Sequence, residues 1–286
     1  MDAKKREQRG MLYFLACTTM WSISGILIKS IPWSAPVIAG FRSLIAGGIM
    51  ALFIHFRGIG FRLDKTAVIS GAFISAMFLA FTLANKLTTA ANAIVIQASA
   101  PAFVLLYNVV VGGRRARRLD VVTIALCSLG ISVFFLDKLE AGHLLGNLVA
   151  LLSGVLLAAT YIATCGAPEP SCMNGILLAH GFTAVIGIPL AFATATPVSA
   201  GAIGGIALLG VVQLGIPYIL YGLAVQSCPP LACSLIGMLE AVFNPIWVFL
   251  FSGEAPSPLS LCGGALVLLS IAAWAVVSQK RGNASI

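Results

Sequence analysis

Charged residues are scarce in this sequence. Asp, Glu, Lys and Arg together make up 9% of its 286 residues, whereas soluble domains contain about 25%. Hydrophobic residues make up 59%, and the mean hydropathy is +1.03. This composition excludes an ordinary soluble globular protein. It also excludes a nucleic-acid-binding domain, because the net charge of +8 has no basic soluble face to occupy.

The sequence also lacks the residue patterns of intramembrane enzymes, metal sites and channels. It contains no HExxH or GxSxG motif, and no pair of aspartates lies within its apolar runs. Its seven cysteines have no zinc-ligand spacing, and we expect them to be small packing residues. The connections are too short for the re-entrant loop of a channel filter. We therefore predict no enzyme activity, no metal and no cofactor.

What the sequence does contain is a series of apolar runs, each long enough at ~1.5 Å per residue to cross ~30 Å of hydrocarbon. The ten runs cover residues 11–30, 36–56, 67–85, 91–111, 120–137, 144–164, 174–194, 202–223, 230–251 and 259–278. The alternating pattern of an outer-membrane barrel is missing, and helices satisfy every backbone group in lipid. We predict an all-α integral membrane protein with ten transmembrane helices.

The basic residues of the loops predict the orientation of these helices. Thirteen Lys and Arg residues fall on the side that would hold both termini, and three, Lys29, Lys86 and Lys138, fall on the opposite side. Because cytoplasmic loops carry the excess of Lys and Arg, we expect both termini in the cytoplasm. The start, KKREQRGMLYFLAC, is similar to a signal peptide, but its apolar stretch is short, so we expect an uncleaved first helix.

The chain partly repeats itself after 140 residues. FLAFTLANKLTTAANAI (78–94) aligns with YILYGLAVQSCPPLACS (218–234), and PAFVLLYNVVVGGR (101–114) aligns with AVFNPIWVFLFSGE (241–254). We therefore predict two units of five helices each, 1–140 and 141–286. Because five is an odd number, the second unit is expected upside down relative to the first. Such inverted repeats are typical of secondary transporters, whose binding site lies near mid-membrane between the halves.

Several motifs resemble the drug/metabolite transporter superfamily, specifically its ten-helix exporters built from two EamA-type units. They are MWSISGILIKSI in helix 1, FRSLIAGG in helix 2, TTAANAIVIQASAPAFVLL in helix 4 and LEAVFNPIWVFLFSGE in helix 9. The resemblance implies a multi-pass protein of the bacterial inner membrane that exports small metabolites, such as amino acids, by alternating access. It also leads us to expect a small-molecule substrate, the lipid bilayer as surroundings, and function as a monomer.

Proton-coupled efflux of cationic drugs is the alternative function that the resemblance implies. Some members of the superfamily use a glutamate in helix 1 for this purpose, and helix 1 of this chain has none. Phosphorylated or nucleotide sugars, carried by other relatives, would require more than one buried basic group. Export of amino acids, including aromatic or other apolar ones, is therefore the leading expectation.

Three ionisable residues lie inside the predicted spans. Glu240, expected to be neutral or paired, could couple transport to protons, bind a substrate amine, or bond a neighbouring helix; the first two are favoured. Arg42 costs about 2.5–3.5 kcal/mol on insertion scales. It could snorkel to the interface, bond a helix carbonyl or bind a substrate carboxylate; an architectural role is favoured.

His180 is the rough counterpart of Arg42 in the second unit, and packing is its favoured role. A pair of cations near opposite mouths of the transporter would suit a solute with a carboxylate. Other polar and aromatic residues recur in the spans and predict a pocket with apolar walls and few polar anchors. These are Trp21, Ser22, Ser24, Phe78, Gln97, Tyr161, Gln213, Tyr218 and Asn244.

Overall fold

A computed structural model describes residues 3–113, 115–134, 136, 144–252 and 257–280. Helices are the only regular secondary structure in these described ranges. They are α1 (Ala3–Trp21), α2 (Ser24–Ser30), α3 (Ala35–Phe56), α4 (Lys65–Leu87), α5 (Ala90–Gln97), α6 (Ala100–Val110), α7 (Arg118–Phe134), α8 (Leu144–Thr164), α9 (Glu169–Gly187), α10 (Ala200–Leu208), α11 (Ile216–Ala224), α12 (Pro230–Gly237), α13 (Leu239–Ser252) and α14 (Pro258–Lys280). A 3₁₀ turn, Pro189–Phe192, follows α9, and a π-helical segment, Leu209–Gly215, joins α10 to α11.

Each of the ten predicted runs coincides with one or more of these helices. Six helical stretches are long and apolar enough to cross a membrane: Ala35–Phe56, Lys65–Leu87, Asn92–Val110, Leu144–Thr164, Glu169–Phe192 and Ala200–Ala224. Two shorter apolar helices, Pro230–Phe243 and Leu261–Val277, accompany them. The all-α membrane fold is therefore confirmed, while the number of ten spans stays a prediction.

The distribution of side chains is the reverse of that in a soluble protein. Polar groups such as Arg42, Ser70 and Asn85 are buried among the helices, whereas Phe192 and Val185 are 92% and 75% exposed. Large apolar side chains on the outside suit hydrocarbon, and polar groups inside can bond only to other parts of the protein. The chain is a multi-pass membrane protein.

The two predicted halves pack on each other in a mirrored pattern. In the first half, α4 packs against α8 and α9 of the second. In the second half, α11 and the π-helical segment pack against α3, and α11 also packs against α1. Two further pairs, α3 with α9 and α7 with α14, join corresponding elements. Each helix of one half thus contacts the counterparts of its own neighbours in the other half.

The contact between α3 and α9 is close and antiparallel. A Cβ atom on Gly40 would lie 2.8 Å from the carbonyl carbon of Gly187, and one on Gly47 would lie 3.2 Å from Cβ of His180. Residue numbers rise along α3 as they fall along α9, so the two helices run in opposite directions. Small residues let helix backbones approach this closely, which strengthens dispersion contacts in a membrane.

Loops that are distant in sequence gather at two ends of the helix bundle. At one end, Gly166 donates its N–H to the carbonyl of Val225, and the Asn174 amide donates to the carbonyl of Gly60. We call it the basic end; it holds the start of α1 and the loops 57–64, 165–168 and 225–229. At the opposite end, Trp33 donates its indole N–H to the carbonyl of Pro197.

Asp64 anchors the basic end. Its carboxylate caps α4 by accepting the Ala67 N–H at 2.8 Å, and it also accepts the hydroxyl of Ser171 in α9. The hydrogen bond from Ser171, followed by that from Ala67, holds the pKa of Asp64 below its usual value. The 57–64 loop is thereby attached to α9 of the other half.

We expect the substitution Gly40→Ala to destabilise the protein. The added Cβ meets the α9 backbone, and overpacking of this kind typically costs about 1–3 kcal/mol. Gly48→Ala, in the same helix, is the matched control: a Cβ there meets no described atom within 4 Å, and Ala favours a helix over Gly by up to about 1 kcal/mol. Thermal unfolding in detergent measures both; equal melting temperatures for the two variants would contradict the close contact.

Candidate functional site

Two adjoining cavities lie at the contact between the predicted halves. We call them the main cavity and the side cavity. The main cavity is lined by Trp21, Arg42, Met77, Phe78, Phe81, Gln97, Leu157, Gln213, Leu214, Tyr218 and Glu240. The side cavity is lined by Ile94, Gln97, Ala98, Ala100, Pro101, Leu157, Tyr161, Ser234, Gly237, Met238, Glu240 and Ala241. Both halves of the chain contribute to each wall.

The cavities are narrow in this conformation. They contain about 350 and 310 Å³ of space not filled by protein atoms. The part of the main cavity in which a water molecule could be centred is about 30 Å³, enough for about two waters. A solute of the size of an amino acid therefore requires the helices around it to move apart.

Two interrupted helices border these cavities at corresponding positions. The α5–α6 segment is interrupted after Gln97, and the α12–α13 segment is interrupted at Met238, which lies 140 residues after Ala98. At both places an N–H bonds three residues back, from Ser99 to the Ile96 carbonyl and from Met238 to the Leu235 carbonyl. Interrupted membrane helices of this kind line the substrate sites of secondary transporters.

Arg42 is fully enclosed by protein, with 1% of its surface exposed. Its guanidinium donates to the Thr82 hydroxyl at 2.7 Å and to the Gln213 side-chain oxygen at 3.2 Å. The Phe78 carbonyl lies at 3.5 Å from the same terminal nitrogen that contacts Thr82. Because the side chain ends among α4 and the π-helical segment, the expectation that it snorkels to the interface is wrong.

Glu240 follows the interruption at Met238 and lines both cavities. Within the described part of the chain, neither a hydrogen bond nor an ion pair within 4 Å reaches its carboxylate. Arg42, which lines the same main cavity, is bonded elsewhere. The cavity thus contains two groups of opposite charge type that do not pair with each other.

Aromatic rings form the wall between these two groups. The ring of Phe78 contacts Tyr218 edge-on, with centroids 4.9 Å apart, and stacks on His180 at 5.3 Å. Trp21 contacts Tyr218 at 5.2 Å. His180 therefore lies behind Phe78, whose ring centre is also 6.0 Å from the Arg42 guanidinium carbon. The prediction that Arg42 and His180 lie near opposite mouths is wrong, because both contact one ring.

A second aromatic cluster, which sequence reasoning missed, fills the space toward the basic end. Phe14 contacts Tyr161 and Tyr221, with centroids 6.0 Å from each. The Tyr221 hydroxyl hydrogen-bonds to that of Thr164, and Tyr221 and Thr164 are completely buried. Tyr221 follows Tyr218 by three residues in α11, and this helical spacing was the signal that could have revealed it.

The remaining predicted residues lie away from the cavities. Ser22 donates to the Thr19 carbonyl at 2.6 Å and accepts from the Trp247 indole at 2.7 Å. The Ser24 hydroxyl is buried and has no hydrogen-bond partner among the described residues. Asn244 belongs to α13, but its side chain lies outside the described residues. Ser22 and Ser24 are thus helix-packing residues in this conformation.

Seven of the twelve predicted residues therefore meet around the main cavity. They are Trp21, Arg42, Phe78, Gln97, Gln213, Tyr218 and Glu240. Tyr161 lines the side cavity, and His180 supports the wall from behind. Thr82, which makes the shortest contact to Arg42, was missed, since nothing in the sequence separates it from other hydroxyl residues of the helices.

Comparison with known proteins assigns the class to which this fold belongs. Residues 8–136 match the model of the EamA-like transporter family. The chain therefore contains an EamA-like domain of the drug/metabolite transporter superfamily, and the match indicates a membrane transporter of this type. A match to a family of transporters also fits the expectation that the chain is not an enzyme.

A solved structure supports the fold over nearly the whole chain. One chain, described only as "Crystal structure of protein", superposes with a TM-score of 0.80 over 95% of this chain and 98% of its own length. The sequence identity is 17%, so the likeness extends to the fold alone. No curated protein matches the chain.

We expect Thr82→Val to destabilise the protein more than Thr183→Val. Both threonines are buried and bond the carbonyl four residues back, at 2.7 and 2.8 Å. They differ in the partner on another helix, which is the Arg42 cation for Thr82 and the Ser75 hydroxyl for Thr183. Hydrogen bonds to charged groups contribute about 1.5–3 kcal/mol and neutral ones about 1. Unfolding measured in the same detergent tests this; a smaller loss for Thr82→Val would contradict the assignment.

Proposed function

We propose that the protein is a secondary transporter that exports small metabolites, most readily amino acids with aromatic or other apolar side chains. The observation that supports this most is the main cavity. Residues of both halves line it, its walls are aromatic and aliphatic, and its few polar groups are Arg42, Gln97, Gln213, Tyr218 and Glu240. Apolar walls with a few polar anchors are typical of small-molecule sites.

The packing of the helices supports alternating access between two inverted repeats, 1–140 and 141–286. The close contact of α3 with α9 is antiparallel, as inverted counterparts require. Likewise, α8 begins beside the end of α4, and α1 passes α11 with Gly10 near Ala224 and Trp21 near Tyr218. Because neighbours mirror each other, rocking of one half could open either end of the cavity.

The surroundings of the chain follow from the same reasoning. A protein of this kind in a bacterial inner membrane would have its basic end in the cytoplasm, with both termini there. The gathering of the 57–64 loop with the start of α1 at one end supports this orientation. Since one chain supplies both walls of the cavity, a monomer is sufficient for transport.

Proton-coupled efflux of cationic compounds is the second candidate function, and Glu240 favours it. A carboxylate in the cavity wall with no partner in the described structure could bind a cation or a proton. Arg42 opposes this alternative, because a cationic solute in the same cavity would be repelled by the guanidinium. The geometry therefore favours a solute that carries an anionic group.

Counterflow in proteoliposomes tests the proposed solute class. We expect vesicles preloaded with unlabelled phenylalanine or leucine to accumulate the labelled amino acid several-fold above protein-free liposomes. Exchange of this kind needs no driving ion, so the test does not depend on the coupling mechanism. If labelled cations such as tetraphenylphosphonium accumulate and no amino acid does, efflux of cationic compounds replaces the proposal.

The substitution Glu240→Gln tests the part that the cavity carboxylate plays. We expect it to reduce amino-acid counterflow at least tenfold, because the amide cannot pair with a substrate ammonium group or release a proton. Glu169→Gln is the control: Glu169 forms a half-exposed ion pair with Arg57 at the basic end, 3.5 Å long. Exposed pairs contribute little, about 0–1 kcal/mol. Equal counterflow in both variants would assign Glu240 to packing.

A further inference from the structure

We infer that Arg42 is the binding point for the carboxylate group of the transported solute, and that Thr82 and Gln213 are the residues that position it. This inference rests on the proposed function and names the chemistry of its substrate. The solute would be an amphiphile that presents a carboxylate to Arg42 and an apolar body to the aromatic wall of the main cavity.

The first argument is that the charge of Arg42 is uncompensated. The described residues offer it a hydroxyl, an amide oxygen and a distant carbonyl, all of them neutral. No carboxylate among them lies within 4 Å of the guanidinium. Burying a cation without an anion is costly, and proteins normally pair such groups or bind a ligand with them. An anion entering the cavity would supply the missing charge.

The second argument is a count of donors. A guanidinium has five N–H groups in a planar fork. Thr82 and the Phe78 carbonyl contact one terminal nitrogen, and Gln213 contacts the other. The Nε atom has no partner among the described residues. At least two N–H groups are therefore unused, and a planar carboxylate is the group that matches such a fork.

The third argument is the position of Arg42 in the cavity. It lines the main cavity together with Trp21, Phe78 and Tyr218, whose rings contact one another. A carboxylate at the guanidinium would place the rest of a small solute against these rings. Glu240 lines the same space and could accept an ammonium group. A zwitterionic amino acid with an apolar side chain satisfies all three features.

Thr82 and Gln213 keep the guanidinium in place. The Thr82 hydroxyl donates to the Phe78 carbonyl at 2.7 Å, so its lone pairs remain directed at Arg42. Gln213 reaches Arg42 from the π-helical segment, where an added residue in the turn re-aims the side chains. Single π-helical turns are frequent at functional sites. Lysine could keep the charge at position 42 but not the planar fork.

Ligand binding by the purified protein in detergent tests the inference with three probes of similar size. They are L-phenylalanine, 3-phenylpropionate, which lacks the amine, and phenethylamine, which lacks the carboxylate. We expect the first two to raise the melting temperature of the wild-type protein and phenethylamine to have little effect. Arg42→Met should abolish the effect of 3-phenylpropionate, and Arg42→Lys should weaken its affinity at least tenfold.

The stability of the ligand-free variant separates binding from a structural role. Because Arg42 lacks an anionic partner, we expect Arg42→Met to unfold at the same temperature as the wild type or at a higher one. A purely architectural arginine would instead lower the melting temperature when removed. Arg57→Met is the control for loss of a cation, since Arg57 is half-exposed in its ion pair with Glu169.

Each remaining outcome decides the matter. If Arg42→Lys binds 3-phenylpropionate as tightly as the wild type, or the wild type prefers phenethylamine, the inference is overturned. If the wild type carries out phenylalanine counterflow while Arg42→Met retains the preference for carboxylates, the inference fails and the proposed function stands. If counterflow fails for every amino acid, the proposed function fails as well.

Discussion

The charge of Arg42 constrains the arrangement of the helices around it. Hydrocarbon cannot solvate a guanidinium, so polar atoms of other helices must reach it. Thr82 does so from α4 and Gln213 from the π-helical segment, so three helices of two halves meet at one side chain. The aromatic wall follows from this meeting, because Phe78 lies one turn before Thr82 and contacts both Arg42 and His180.

Close packing elsewhere makes this arrangement possible. A Cβ on Gly210, in the π-helical segment, would lie 2.6 Å from Cβ of Ile45 and 3.1 Å from the Arg42 carbonyl. Only glycine lets the segment come close enough to α3 for Gln213 to bond the guanidinium. Gly40 and Gly187 play the same part between α3 and α9. The polar contact at the cavity therefore depends on small residues that lie outside it.

The sequence predicts the helices and most of the cavity wall, because apolar length and isolated polar residues can be read from it directly. It does not predict which residues meet. Position along a helix is visible in the sequence, whereas rotation about the helix axis and the neighbouring helix are not. The expected separation of Arg42 and His180 failed for this reason, and Thr82 was missed because its importance comes from its neighbour.

The two ends of the bundle are not equivalent, although the halves correspond. A displacement of 140 residues relates Tyr161 to Trp21, Tyr221 to Phe81 and Thr164 to Ser24. The first set is packed: Tyr161 contacts Tyr221, which is hydrogen-bonded to Thr164. Trp21 and Phe81 instead line the main cavity. The phenyl ring of Phe81 has no hydroxyl for Ser24, so a conformation that closed this side would lack that hydrogen bond. Exchange between inverted repeats would therefore favour the closed basic end.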